Sequence, residues 1–488
     1  MTAPASAAGQ SRLALVVVLA LLAGVAAAHL AALPSTLEDI DSVNFALGVR
    51  DFDPARHRPH PPGYPVYVAL GKAATALTRV AWPDGRPDRV EARALAALSL
   101  VAGLALIGLV AGVASSLAPG GVGRTGAPGV SRRSVLTALL VAVCPLTWYM
   151  TSRPMSDVPG LAAACAALVC LGLAWWRQHP TPSGDRRLEP AEMAASGRMI
   201  VLGALLSGLA VGFRTQTFWV TAPLLLAVLV DRVGRGVAGA MLGSAIAFTA
   251  GALAWGVPLV VASGGPGAYL AALGSQAGED FAGVEMLSLN PTPRAAAFAL
   301  LRTFVWPWDD VWLASAVLVL AGIGAVLLLV RERRVAVAVA AITLPYLAFH
   351  LAFQDTVFAR YALPLVVPVA FLAAATLDAM GTAGTVVGWR LPAGASALPV
   401  RPCRPTRGPA APRPGSSMPW RTSRPAARRR RWRCISRCSV RSRPRPGRSA
   451  RPCRRRPGAS GSSWCGAGAP ARAARCGSSP IRAAPTWR

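Results

Sequence analysis

The sequence predicts an all-α, polytopic transmembrane protein of about ten helices. Three observations carry that expectation. Of the 488 residues, 53% are hydrophobic and only 15% charged, less charge than a soluble domain carries. Apolar runs of about twenty residues, the length of a bilayer span, recur along the first 380 positions. Arginines collect in alternate short loops, as cytoplasmic loops of multi-pass proteins do. The mean hydropathy of +0.44 agrees.

The first run is Leu13 to Leu33, preceded by Arg12. Ala26-Ala27-Ala28 has the look of a signal cleavage region, but the many spans that follow favour an uncleaved helix. Later spans are expected near 94–118, 135–150, 158–176, 199–213, 216–230, 237–263, 311–330, 335–353 and 362–378. The basic loops hold Arg124, Arg132 and Arg133; Arg177, Arg186, Arg187 and Arg198; Arg232 and Arg235; and Arg331, Arg333 and Arg334. The positive-inside rule makes these cytoplasmic. Segments 34–93, 151–157, 264–310 and 354–361 then face outward, and both termini lie in the cytoplasm. Acidic residues gather on the outward side, among them Glu38, Asp39, Asp41, Asp157, Glu279, Asp280, Glu285 and Asp355. Polar chemistry is therefore expected at the outer face of the cell membrane.

The net charge of +30 belongs mostly to the C-terminal segment. It holds 25 of the 51 basic residues, all Arg from Arg390 onward, and no acid, so the rest of the chain is near +5. Six of the nine cysteines lie there too, while Cys144, Cys165 and Cys170 fall inside expected helices, where free Cys acts as a small hydrophobe. The sequence divides into a transmembrane domain, 1–385, and a tail, 386–488. The tail has no period and too few aliphatics for a core. It reads as a disordered basic arm or as out-of-frame translation of a GC-rich gene, and no nucleic-acid partner is assigned to it.

Three constellations could carry chemistry. The first, Ser35 to Phe45, follows the first helix directly. Ser35 and Glu38 have the spacing of a capping box. Asp39 and Asp41 suit a helix N-terminus, yet a carboxylate at the membrane surface could also deprotonate an acceptor hydroxyl, or the pair could hold a divalent metal. The second is His57-Arg-Pro-His60-Pro-Pro-Gly-Tyr64-Pro65. Its prolines stiffen the chain and Gly63 allows a tight turn. Either the segment is a rigid re-entry with Tyr64 and Tyr67 anchored in the interface, or it brings His60 to a site. The third is a set of single outer arginines, Arg153, Arg214 and Arg360. Pairing with Asp157 or Asp355 would explain them, and so would an anionic ligand held by several guanidinium groups, such as a phosphate-linked lipid. No GxxxxGK[ST], GxSxG or HExxH pattern occurs, so an already activated donor is expected.

An acidic pair just after the first helix, then His60-Pro-Pro-Gly-Tyr-Pro65, Ser152-Arg-Pro-Met-Ser-Asp157 and Arg360-Tyr361-Ala-Leu-Pro364, resembles the GT-C superfamily of membrane glycosyltransferases. The similarity is greatest to the polyprenyl-phosphate-mannose protein O-mannosyltransferase branch and its bacterial relatives, and covers residues 10–380. The resemblance implies an inverting enzyme that moves a sugar from a polyprenyl-phosphate donor to an acceptor protein or glycan at the outer face. It implies Asp41 as base, with Asp39 second. Arg153, Arg214 and Arg360 would bind the donor phosphate, with His60, Tyr64, Asp157 and Tyr361 lining the substrate site. Two other readings stay open: a transporter or flippase with Asp41, Arg214 and Arg360 along its path, and a truncated non-catalytic relative, since the resemblance ends near residue 385.

Overall fold

The computed structural model describes residues 7–117, 130–178, 189–234, 239–281, 286–289 and 291–387. The chain divides into two units, 1–396 and 397–488, the second lying outside the described residues together with nearly all of the Arg-rich tail. Glu285 and the side chains of Glu279 and Asp280 are also outside them, as are Arg124, Arg186, Arg187 and Arg235.

The described residues form fifteen α-helices and no named strand. The first six are α1 (Ala7–Ala31), α2 (Ile40–Arg50), α3 (Pro65–Ala81), α4 (Pro87–Leu117), α5 (Arg132–Val143) and α6 (Pro145–Thr151). Then come α7 (Asp157–Arg177), α8 (Pro190–Val211), α9 (Thr217–Gly234), α10 (Gly239–Ala262) and α11 (Pro266–Phe281). The last are α12 (Pro293–Phe304), α13 (Val311–Arg331), α14 (Arg333–Phe353) and α15 (Leu363–Val387). Nine helices among the described residues are long and apolar enough to cross a membrane, ten if α5 and α6 count as one broken span. That is the expected number, and the chain is a multi-pass membrane protein.

Two expectations change in form. The span near 135–150 bends by 70° between α5 and α6. Pro145 disfavours helical backbone at Cys144, which is extended at φ −60, ψ 121. The chain leaves α5 there and α6 turns across the end of the bundle. Segment 34–93, expected to face outward, is largely helical rather than an open loop. In α3, Tyr67, Val68, Gly71 and Thr75 are buried, while Leu77 and Val80 are 72% and 84% exposed. One face sits on the bundle and the other is open and mostly apolar with Lys72 and Arg79 exposed beside it, the pattern of a helix lying in the membrane interface.

Ion pairs fasten both ends of the bundle. Buried Glu91 on α4 takes Arg50 of α2 at 2.6 Å and Arg79 of α3 at 3.6 Å, tying segment 34–93 down. At the opposite end Arg133 of α5 reaches Glu332, at the start of α14, at 2.9 Å and Asp378 of α15 at 3.7 Å.

Helix packing inside the bundle uses small residues, as lipid offers no hydrophobic drive between helices. A methyl group added at Gly251 of α10 would run into the Leu205 carbonyl oxygen of α8, and one at Gly208 into the Phe248 carbonyl. Gly256, on α10 as well, has open space around it. Gly251→Val is therefore expected to cost about 1–3 kcal/mol and to lower the unfolding temperature of the purified protein, while Gly256→Ala leaves it unchanged. Thermal unfolding followed by intrinsic fluorescence would check both.

Candidate active site

The segment between α2 and α3 is built around proline and glycine. Asp53 and Arg58 exchange backbone hydrogen bonds of 2.8 and 2.9 Å around a turn in which His57 has φ 57. The Arg58–Pro59 and Pro61–Pro62 peptides are cis. Gly63, at φ 95, donates its N–H to the His60 carbonyl at 3.0 Å, and a side chain there would be strained. Two contacts dock the turn. Val66 N–H donates to the Gly212 carbonyl at 3.1 Å, and the Tyr269 hydroxyl of α11 donates to the Pro62 carbonyl at 3.2 Å. His60 is thus held beside the turn that carries Arg214.

α2 begins four residues later than the Ser35–Glu38 spacing suggested. Asp39 is its N-cap: the carboxylate accepts from Asp41 N–H at 2.9 Å, and Ser42 Oγ accepts from Asp39 N–H at 3.2 Å. This Asp39–Ser42 box replaces the expected one. It leaves Glu38 to pair with Arg153 and leaves the Asp41 side chain for the site.

Asp41 and Arg360, 319 residues apart in sequence, meet at 2.5 Å. His60 Nδ1 lies 3.7 Å from the other Asp41 oxygen, and His60 Nε2 lies 3.2 Å from the Tyr64 hydroxyl. Asp39 is 3.8 Å from Arg360. A second pair sits deeper. Arg214 Nη1 reaches Asp157 Oδ2 at 2.8 Å and Ser156 Oγ at 3.2 Å, with the Asp157 side chain only 2% exposed. The Arg214 and Arg360 guanidinium groups lie 5.4 and 5.3 Å from the Tyr361 ring, on which both can form cation–π contacts.

The environment tunes these groups. Burial by itself would weaken the Arg214 cation, but the Asp157 carboxylate, with Tyr64 and Tyr361, outweighs it and raises its pKa. Burial pushes the Tyr64 phenol up, so it remains a neutral donor at physiological pH. The hydrogen bond from Arg153 and then its charge hold Glu38 below the usual carboxylate range.

All nine singled-out residues therefore gather at one end of the bundle, but the pairing differs from expectation. Arg153 pairs with Glu38 rather than Asp157, and stacks on Tyr149 at 4.1 Å. Arg360 pairs with Asp41 rather than Asp355, whose carboxylate accepts from Val357 N–H at 3.0 Å. Tyr64 and Tyr67 are not interface anchors: Tyr64 packs edge-on to Phe45 at 5.1 Å and Tyr67 is fully buried. Asp39 and Asp41 face a backbone amide and a guanidinium, and no group of three His, Cys, Asp or Glu side chains gathers among the described residues.

Sequence reasoning missed the shell behind Arg360. The Tyr346 hydroxyl donates to the Tyr361 carbonyl at 2.6 Å. His350 bridges Gln354 at 2.9 Å and Thr303 at 3.0 Å. A histidine four residues before a glutamine in an apolar helix was the available signal. Gln216 was missed as well; with its amide turned, its oxygen accepts from Arg214 Nε at 2.7 Å.

A groove of about 460 Å³ opens beside Arg360, walled by Glu38, Asp39 and Arg153 on one side and by Leu146, Tyr149 and Met150 of α6 on another. The space between Arg214, Asp157, Gln216 and Arg360 is only about 10 Å³, room for about one water. An anion of phosphate size can reach Arg360 and Arg153 from the groove, whereas Arg214 becomes available only when the inner side chains part.

Residues 57–235 match the family model described as the protein O-mannosyl-transferase TMEM260 N-terminal domain. The matched stretch holds His60, Tyr64, Arg153, Asp157 and Arg214 and ends before Arg360. No curated protein matches the chain. Among solved structures it is similar to the archaeal oligosaccharyltransferase AglB from Archaeoglobus fulgidus, in complex with an inhibitory peptide and a dolichol-phosphate, at 16% identity and a TM-score of 0.41. That likeness covers 77% of this chain and 52% of the other, so this chain spans about half of that protein's length. The family match bears out the similarity to O-mannosyltransferase-like membrane glycosyltransferases of GT-C type that the motifs suggested.

Proposed function

We propose that residues 1–385 form a membrane glycosyltransferase that passes a sugar from a polyprenyl-phosphate carrier to a protein or glycan acceptor at the non-cytosolic face. One observation carries the reading. A carboxylate from the first outer segment and a guanidinium from the last meet at 2.5 Å, beside a groove with both cationic and apolar walls. An amphipathic donor needs that combination: its phosphate on Arg360 and Arg153, its prenyl chain along Leu146, Tyr149 and Met150. The arginines at the opposite end of the bundle, among them Arg132, Arg133, Arg198 and Arg331, support that orientation.

The donor phosphate competes with Asp41 for Arg360. Once the phosphate takes the guanidinium, an Asp41 oxygen is free to accept a proton from the acceptor hydroxyl, with His60 and Tyr64 fixing the carboxylate's orientation. The hydroxyl oxygen bonds to the anomeric carbon as the bond from that carbon to the phosphate oxygen breaks. The configuration inverts, the proton ends on Asp41, and the departing phosphate keeps its charge against Arg360 and Arg153. A phosphate leaving group needs no acid to protonate it.

The test uses membranes containing the full chain and a radiolabelled polyprenyl-phosphate-mannose donor. Label should move to a membrane acceptor, and Arg360→Gln should raise the donor KM by about tenfold or more, the worth of one charge-assisted hydrogen bond. Transfer from a sugar nucleotide at an equal rate with no lipid-linked sugar present would refute the proposal.

A further inference from the structure

The opposite end of the bundle holds a cation that the transfer reaction does not use. Arg232, near the end of α9, is 5% exposed. Its Nη2 donates to the Met193 carbonyl at 3.0 Å, while its Nε and Nη1 are buried with no hydrogen-bond partner. No carboxylate pairs with it among the described residues. A buried charge with unpaired donors is costly, so such a group is ordinarily paired or faces a polar ligand.

Arg232 borders an open cavity of about 500 Å³ between α8, the end of α9 and the start of α10. Exposed Arg198 of α8 stands on the same cavity, and Val201, Leu202 and Leu205 line the rest. Gly197 lets the Arg232 guanidinium lie against α8, since an added methyl there would come within 3.2 Å of Nη2. Along α8, Arg198 is about 20 Å from the Arg214 end, at the 1.5 Å rise per residue of an α-helix. That places the two arginines near the far headgroup level, apart from the site that holds Asp41.

We infer that this cavity binds the phosphate of an anionic membrane lipid from the leaflet opposite the transfer site. The phosphate oxygens take the unpaired N–H groups of Arg232 and the head of Arg198. The acyl chain runs down the Val201–Leu205 wall. Such a lipid would clamp α8, α9 and α10 together at the end where the described residues provide no counter-charge for Arg232.

The experiment uses the full chain purified in a zwitterionic detergent. Phosphatidylglycerol, phosphatidylcholine, glycerol 3-phosphate and inorganic phosphate are titrated separately, with thermal unfolding and native mass spectrometry as readouts. Phosphatidylglycerol alone should raise the unfolding temperature and stay bound. Arg232→Gln and Arg198→Gln should each weaken that binding on the order of fivefold, the loss of one basic contact at a membrane surface. Arg198 is exposed, so its variant keeps the test valid if Arg232→Gln does not fold. Wild-type lipid binding in Arg198→Gln would overturn the inference. Equal stabilisation by inorganic phosphate or glycerol 3-phosphate would overturn the lipid assignment.

Discussion

Asp41→Asn is expected to lower the rate of sugar transfer by about 10²- to 10⁴-fold, the contribution typical of a positioned general base, with donor retention near wild type. Asparagine keeps the shape of the side chain but cannot take the acceptor proton. The fold should tolerate the change. Asp41 lies at the second position of α2, whose cap is Asp39, so the capping box of Asp39 and Ser42 survives. Arg360 keeps a carboxylate neighbour, since Asp39 Oδ1 is 3.8 Å away. The loss should therefore fall on kcat, while the donor KM stays level or falls because Asp41 no longer competes for Arg360, the reverse of Arg360→Gln. Single-turnover transfer with saturating donor separates the two. A rate within a few-fold of wild type would remove Asp41 from the base role and shift attention to Asp39, whose carboxylate is already occupied by the Asp41 amide.

The membrane architecture was legible because a bilayer imposes one dominant constraint. Helices must be long and apolar, and loop arginines sort to one side. Ten spans read from hydropathy alone correspond to nine helices and one broken pair among the described residues. The break itself was readable in principle, as Pro145 interrupts the apolar run and disfavours helical backbone at Cys144. That the singled-out charges would gather at one end of the bundle was also legible, since a lone charge in a short loop between apolar spans has few places to go. The partners were not. Each arginine could reach several acids, and the choice depends on where α2 starts. Moving the cap from Ser35 to Asp39 turns Glu38 toward Arg153 and Asp41 toward Arg360. Such pairings are tertiary facts: Arg360 lies 319 residues from Asp41, and no local period encodes that distance.

Arg214→Leu should destabilise the protein by about 3–5 kcal/mol, the loss typical when one member of a buried ion pair is removed. Asp157 is the reason. Its side chain is 2% exposed, and Arg214 Nη1 is the cation that meets it, at 2.8 Å. Removing both charges together tells a different story. In Asp157→Leu/Arg214→Leu no unpaired charge remains, and replacing a buried pair by apolar side chains is often close to neutral. Most of the lost unfolding temperature should therefore return in the double variant. Activity then separates structure from chemistry. If Arg214 serves only to neutralise Asp157, the double variant transfers sugar as well as it folds. If the inner side chains part to bring Arg214 onto the donor phosphate, the double variant is stable but still impaired in transfer. Arg214→Lys sharpens the comparison, because it keeps the charge beside Asp157 but loses the planar array of donors that also engages Ser156 and Gln216. Near-wild-type stability with a raised donor KM in that variant would place Arg214 on the phosphate. Full activity in the stable double variant would leave donor binding to Arg153 and Arg360 alone.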